Sequence, residues 1–203
     1  MRGQTTLAHE QDRRDPDGHE QVANDPAGRE LALRARAAIR DIPDFPQPGI
    51  LFRDITTLLA QPGLMAEVFD ALWAPFEGGV DVIAGIESRG FILGATVAAL
   101  HRLPFVPLRK PGKLPAATFR ESYALEYGSD SLEMHQDALP AGARVLLIDD
   151  LLATGGTAAA AIRLIAQGNG RLAGVCFLAE LCALEGRRRL PPDARVHALV
   201  RYE

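Results

Sequence analysis

Apolar and polar positions fall into two rhythms along this chain. Residues 145–148, V-L-L-I, form an unbroken apolar run that leads into two adjacent carboxylates and a turn of small residues. An uninterrupted run ending at a turn predicts a strand buried on both faces of a parallel sheet. The alanine-rich stretch A-A-A-A-I-R-L-I that follows predicts a helix starting near Gly156. The same strand–turn–helix order occurs earlier. Residues 80–86, V-D-V-I-A-G-I, predict a strand, and F-I-L-G-A-T-V-A-A-L predicts the helix after it.

Elsewhere the pattern predicts helices over residues 30–40 and 61–76, the second with Leu64, Val68, Phe69 and Leu72 on one face. Further strands are expected over residues 103–108, 172–181 and 196–200. Residues 123–128 alternate, as does S-L-E-M-H, which predicts a two-stranded flap with Gly128 near its tip. Residues 115–121 read as a mobile segment. The stretch D-F-P-Q-P-G-I-L-F-R-D-I-T reads as a connecting loop, stiffened by proline and glycine, with an exposed Phe52. The recurring β and α elements predict an α/β fold. Its sheet is doubly wound and mostly parallel, with helices on both faces.

Composition narrows the field. The chain has 203 residues, 47% hydrophobic and 24% charged, enough for one globular domain with a real core. Residues 1–28 are polar and charged and cannot bury enough apolar area to order themselves, so they read as a disordered extension. The domain is then residues 29–203. A net charge of −4 argues against a nucleic-acid binder that works through a basic surface. With no apolar run of membrane-spanning length and no hydrophobic leader, the expected location is cytoplasmic. Cys176 and Cys182 would lie about 20 Å apart in an extended strand, too far for a disulfide. Both read as reduced core thiols, and no zinc-type spacing occurs.

The chemistry concentrates where strands end. Ligands of parallel sheets bind beyond the carboxyl ends of the strands. Ala153, Thr154, Gly155, Gly156 and Thr157 combine close backbone approach, hydroxyl donors and a helix N-terminus, which together suit a phosphate monoester. Asp149 and Asp150 stand just before them and suit the vicinal hydroxyls of a ribose. Neither the P-loop spacing with its lysine nor G-x-G-x-x-G is present. Arg89, after Glu87 and Ser88, opens a helix with a cation at its positive end, a mildly unfavourable placement unless an anion binds there. Arg109, Lys110 and Lys113 form a basic turn after another strand. A solvated turn is the plain alternative.

The thirteen residues V-L-L-I-D-D-L-L-A-T-G-G-T resemble the phosphoribosyl-diphosphate (PRPP) motif of type I phosphoribosyltransferases. F-P-Q-P-G-I-L-F-R-D-I-T, E-S-R-G-F, R-K-P-G-K-L-P and E-S-Y-A-L-E-Y-G further resemble the adenine branch of that family, and the likeness spans residues 45–203. The resemblance implies a small hood beside the main sheet. It also implies purine salvage by an Mg²⁺-dependent enzyme that converts adenine and PRPP to AMP and pyrophosphate, working as a homodimer. Residues 153–157 would hold the 5′-phosphate, and Asp149 and Asp150 the ribose hydroxyls. Arg89, Glu87, Ser88 and Lys110 would hold the pyrophosphate. Phe52 and Leu181 would sandwich adenine, and the backbone of Leu51 and Arg53 would read its edge. Glu126 would be the catalytic carboxylate on the flap, assisted by Arg89. Mg²⁺ would be held mainly by the substrate. Two alternatives stay open: a non-catalytic sensor of PRPP or purines on the same fold, or an enzyme for another base.

Overall fold

The computed structural model describes residues 25–125 and 128–203. Five parallel strands make the central sheet, in the spatial order β4-β3-β7-β8-β9. They run over Val82–Ile86 (β3), Phe105–Leu108 (β4), Arg144–Leu152 (β7), Arg171–Leu181 (β8) and Val196–Tyr202 (β9). Strand order reverses between β3 and β7. The chain leaves β3 toward β4 on one side, and β7 toward β8 and β9 on the other. The crevice at such a reversal is where ligands of open α/β sheets bind.

The apolar runs serve both faces. Ile83, Leu146, Ile148, Cys176 and Leu178 point to one side of the sheet, and there meet Leu93 and Val97 of helix Arg89–Leu100. Val82, Ala84, Val145, Leu147 and Phe177 point to the other, against Ala160, Ala161 and Leu164 of helix Gly156–Gln167. Period-two alternation therefore feeds two cores, and the expected double winding is present.

Helix α1 spans Pro26–Ala38, starting four residues before the expected Glu30. Its first turn is set by Asp25, whose carboxylate accepts from the Ala27 and Gly28 amides at 3.1 and 3.3 Å, with Pro26 following as the favoured first helical residue. It stops at Ala38 because Ile39 is extended and Arg40–Pro43 forms strand β1. β1 pairs antiparallel with β2, Leu51–Asp54. β2 and the start of the short helix α2, Thr56–Leu59, fall in the stretch expected to be a loop. Local polar bonds explain them. Asp54 accepts from the Thr56 amide at 2.9 Å and from Arg40 Nε at 3.1 Å, and the Thr57 hydroxyl donates to the Ala38 carbonyl at 2.6 Å. Hydrogen bonds from Thr56, then Arg40, hold the Asp54 carboxyl down at about 2.

Helix α3 runs over Pro62–Trp73 and tightens into a 3₁₀ turn, Ala74–Phe76, close to the expected 61–76. The helices Arg89–Leu100 and Gly156–Gln167 are α4 and α5. The flap is real in its described part. β5, Thr118–Leu125, pairs antiparallel with β6, Gly128–His135, so Thr118 to Glu121 belong to a strand, not to a mobile segment. Arg163 of α5 bonds Glu121 Oε2 at 2.7 Å and so ties the flap to the helix behind it. Cys176 is buried, but Cys182 lies past the end of β8, half-exposed, with Glu203 Oε1 3.7 Å from its sulfur. It is not a core thiol. Among the described residues no helix is long and apolar enough to cross a membrane.

Candidate active site at the sheet reversal

β7 does not stop before its acidic pair. It continues through Asp149 and Asp150 to Leu152, and both carboxylates reach the same cavity. The Asp150 amide donates to Asp149 Oδ1 at 2.9 Å. Arg89 reaches across from the first turn of α4, its Nε 3.1 Å from Asp150 Oδ2. Helix α4 can approach this closely because position 90 is glycine. A Cβ there would lie 2.7 Å from Asp149 Oδ1 and 2.9 Å from the Ile148 carbonyl. Burial pushes the Asp149 carboxyl well up from its usual range, and the neighbouring charge of Asp150 adds to the effect. Burial also raises Asp150, against the opposing pull of Arg89.

A cavity of about 320 Å³ opens over this pair. Glu87, Ser88, Arg89, Lys110, Asp149, Asp150 and Thr157 line it, which brings together residues from the ends of three strands. Beside it lies a smaller recess of about 70 Å³, bounded by Asp149, Ala153, Gly155 and Thr157. Gly155 takes φ +79°, and α5 begins at Gly156 with no side chain capping its amides. Uncapped first-turn N–H groups of a helix are donors suited to an anion. Thr154 lies between the lining residues of the same loop.

Three further groups shape the site, none of them expected from the sequence. Tyr123 of β5 lines the larger cavity, and its hydroxyl accepts from Lys110 Nζ at 2.9 Å. Asp130 of β6 is ion-paired with the same ammonium. Lys110 is therefore aimed by the flap. Its hydrogen bonds to Asp130 and Tyr123 outweigh the cost of burial and raise its pKa. Arg109 does not line the cavity but braces its wall, with Nε 2.9 Å from Glu87 Oε2 and Nη1 3.1 Å from the Lys113 carbonyl. The third group is Gly186. A Cβ on it would lie 2.2 Å from the Ala153 carbonyl, and one on Gly155 would lie 2.3 Å from the Gly186 carbonyl. The basic 3₁₀ turn Gly186–Arg189 thus backs the anion loop at backbone contact distance.

The expected base-contacting residues are more spread out. Phe52 is half-buried, not exposed. The Arg89 guanidinium sits 4.9 Å from its ring centre, and Phe45 meets it edge-on at 5.1 Å. Leu51 is 46% exposed and so free to meet a ligand. The Arg53 side chain turns to Asp41 and to the ring of Tyr202. Leu181 closes β8, half-buried against the core on the α1–α4 side. Glu126 lies outside the described residues.

Comparison with known proteins agrees with this geometry. The pattern for the "Phosphoribosyl transferase domain" matches residues 55–199. The chain is 57% identical over 168 residues to the adenine phosphoribosyltransferase of Acaryochloris marina, covering 82% of this chain and 98% of that protein. It is 56% identical over 173 residues to that of Myxococcus xanthus, covering 85% and 94%. The crystal structure of the Rhodothermus marinus adenine phosphoribosyltransferase superposes with a TM-score of 0.83 at 49% identity, covering 86% of this chain and 99% of that one. The Saccharomyces cerevisiae enzyme, solved with an imino-altritol bisphosphate and adenine, gives 0.79 at 42%, covering 84% and 99%. With the sheet reversal, the acidic pair and the anion loop in place, the chain belongs to the adenine phosphoribosyltransferases.

Proposed function

We propose that this chain transfers the phosphoribosyl group of PRPP to adenine, releasing pyrophosphate and forming AMP. The observation that carries the reading is the acidic pair facing Arg89 at the sheet reversal, with an anion loop on one side and Lys110 on the other. A sugar carrying a phosphate at one end and a diphosphate at the other matches that order of groups. Residues 153–157 take the 5′-phosphate, Asp149 and Asp150 the 2′- and 3′-hydroxyls, and Arg89, Lys110 and the Glu87–Ser88 backbone the pyrophosphate. Phe52, Leu181 and the backbone of Leu51 and Arg53 take the base.

These residues do distinct work. As the bond from C1 to the pyrophosphate oxygen breaks, positive charge grows on the ribose ring, and the two carboxylates stabilise it. Negative charge grows on the leaving group, opposite Arg89 and Lys110. Bond formation at the purine nitrogen displaces a proton within the ring system, which Glu126 exchanges as the flap closes. Closure also keeps water from the activated sugar. Among the described residues no three potential ligands cluster as a metal site. Two carboxylates beside room for a diphosphate nevertheless suit Mg²⁺, which keeps waters and favours substrate phosphates. Asp149 and Asp150 would face that ion, which supplies charge neutralisation when bound. A cytoplasmic homodimer is part of the proposal, on family resemblance.

Steady-state rates with PRPP, Mg²⁺ and a panel of bases test the reading. Adenine presents a 6-amino donor and an N1 acceptor, and hypoxanthine inverts both. Adenine should therefore lead by ~10⁴ or more in kcat/KM, because the wrong base leaves buried groups unpaired. Comparable values for the two bases would sink the adenine assignment. PRPP binding with no base turned over would move the chain to the sensor class.

A further inference from the structure

Side chains alternate along β2, so its neighbours Phe52 and Arg53 face opposite ways. Phe52 looks toward the active site, where the Arg89 guanidinium meets its ring. Arg53 looks toward the core sheet. Its guanidinium carbon lies 3.9 Å from the ring centre of Tyr202, the last residue of β9, and it is ion-paired with Asp41, its cross-strand partner on β1. Arg36 of α1 adds a second guanidinium 4.7 Å from the same ring and donates to the Arg201 carbonyl at 3.2 Å. The Tyr202 ring is thus the point where the hairpin, α1 and the sheet converge.

Tyr202 is 6% exposed, yet its hydroxyl oxygen is buried with no hydrogen-bond partner among the described residues. A buried, unpaired hydroxyl costs free energy. The ring face, not the phenol, makes the contacts here. A two-stranded hairpin of four-residue strands is marginal alone, so its position depends on what it packs against. Arg53 is a strong tether for it: a planar cation stacked on a ring, its charge balanced by Asp41.

We propose that Tyr202 and Arg53 form a positioning pair that fixes the backbone of residues 51–53 relative to the sheet, and so sets affinity for the base without touching PRPP. The inference rests on the reading of residues 51–53 as the base site. Tyr202 contacts no reacting atom in this scheme. Its effect passes through Arg53 to the two backbone groups flanking Phe52. Loss of the ring should leave the sugar and phosphate contacts unchanged, since those come from the ends of β3, β4 and β7, the first turn of α4 and the loop before α5.

The test is kcat and KM for both substrates in Tyr202→Phe, Tyr202→Leu and Arg53→Lys, with Phe52→Ala as reference. Tyr202→Leu and Arg53→Lys should raise the adenine KM about fivefold or more, while kcat and the PRPP KM stay within about twofold. Tyr202→Phe keeps the ring and should match the parent protein. If Tyr202→Leu does not fold, Arg53→Lys and Tyr202→Phe still decide. An unchanged adenine KM in both ring-breaking variants, with a raised one in Phe52→Ala, overturns the positioning pair and leaves the base site standing. A harmless Phe52→Ala overturns the base site, and the pair with it. Equal rises in both KM values overturn a base-specific role, and a Tyr202→Phe variant as poor as leucine assigns the effect to the hydroxyl instead.

Discussion

Asp149 and Asp150 place two carboxyls side by side in a partly buried pocket, an arrangement that works against folding. Both are raised from the usual carboxylate range, Asp149 most by burial and then by its neighbour's charge. A raised carboxyl favours the folded state only while protonated. Stability from this source is full below the unfolded-state value near 3.9 and is lost as pH climbs through the native value. Asparagine mimics the protonated form and keeps the oxygen that accepts from the Asp150 amide. Asp149→Asn should therefore melt higher than the parent at pH 8. The gap should close as pH falls toward about 3.5, where the parent carboxyl is itself protonated in both states. Activity should fall in the same variant. Thermal melts from pH 3.5 to 8 check this, and a gap that widens toward acid would refute the shift. Cys176 shows the plain version of the same physics. Burial alone pushes its thiol up, so it stays an inert core group.

At the scale of elements, the pieces that were legible are those whose signal is local. The run at residues 145–148 and the turn after it announce β7, the anion loop and α5, and the same logic finds β3 and α4. The hairpin β1–β2 was not legible, because four-residue strands are too short for a period to show. What makes them strands is pairing of Arg40 with Asp54 and of Arg53 with Asp41 across the hairpin, contacts that exist only once the chain has turned. Tyr123 and Asp130 likewise became site residues only because the outer part of the flap's paired strands lies against Lys110. Gly186 carried no motif at all. Its role comes from meeting the anion loop, more than thirty residues away in sequence, at backbone distance. That contact gives a prediction. Gly186→Ala places a methyl group 2.2 Å from the Ala153 carbonyl oxygen and 3.1 Å from the Gly155 amide nitrogen, and backbone cannot yield as a side chain tip can. The loop must shift. Misplacing a binding loop by an ångström can cost ~10²-fold, so the PRPP KM should rise steeply while the adenine KM moves little. A variant with parental PRPP kinetics would show that the turn and the loop are independent.

For the molecule as a whole, the question is where the folded domain begins. Composition places the boundary after Gly28, but the helix places it earlier. Asp25 accepts two amide hydrogen bonds, and Pro26 opens α1, whose Leu31 and Ala35, with Ile39 just past its end, pack on the core shared by α3 and the sheet. Arg34 reinforces the same contact through paired bonds of 2.7 and 2.8 Å to Glu67 of α3. Two truncations separate the readings. Removing residues 1–24 deletes a stretch whose composition offers few apolar anchors, and should leave the melting temperature and kcat/KM as they were. Removing residues 1–28 takes the cap and the first helical turn as well. Loss of an N-cap alone is worth about 1 kcal/mol, or roughly 2–4 °C in a domain of this size. The longer deletion should therefore melt lower by at least that margin and keep its kcat/KM at 25 °C, because α1 touches the active site only indirectly, through Arg36 and the Tyr202 ring. Equal melting temperatures for the two truncations would mean that the cap contributes nothing. A loss of activity on removing residues 1–24 would assign that segment to the site.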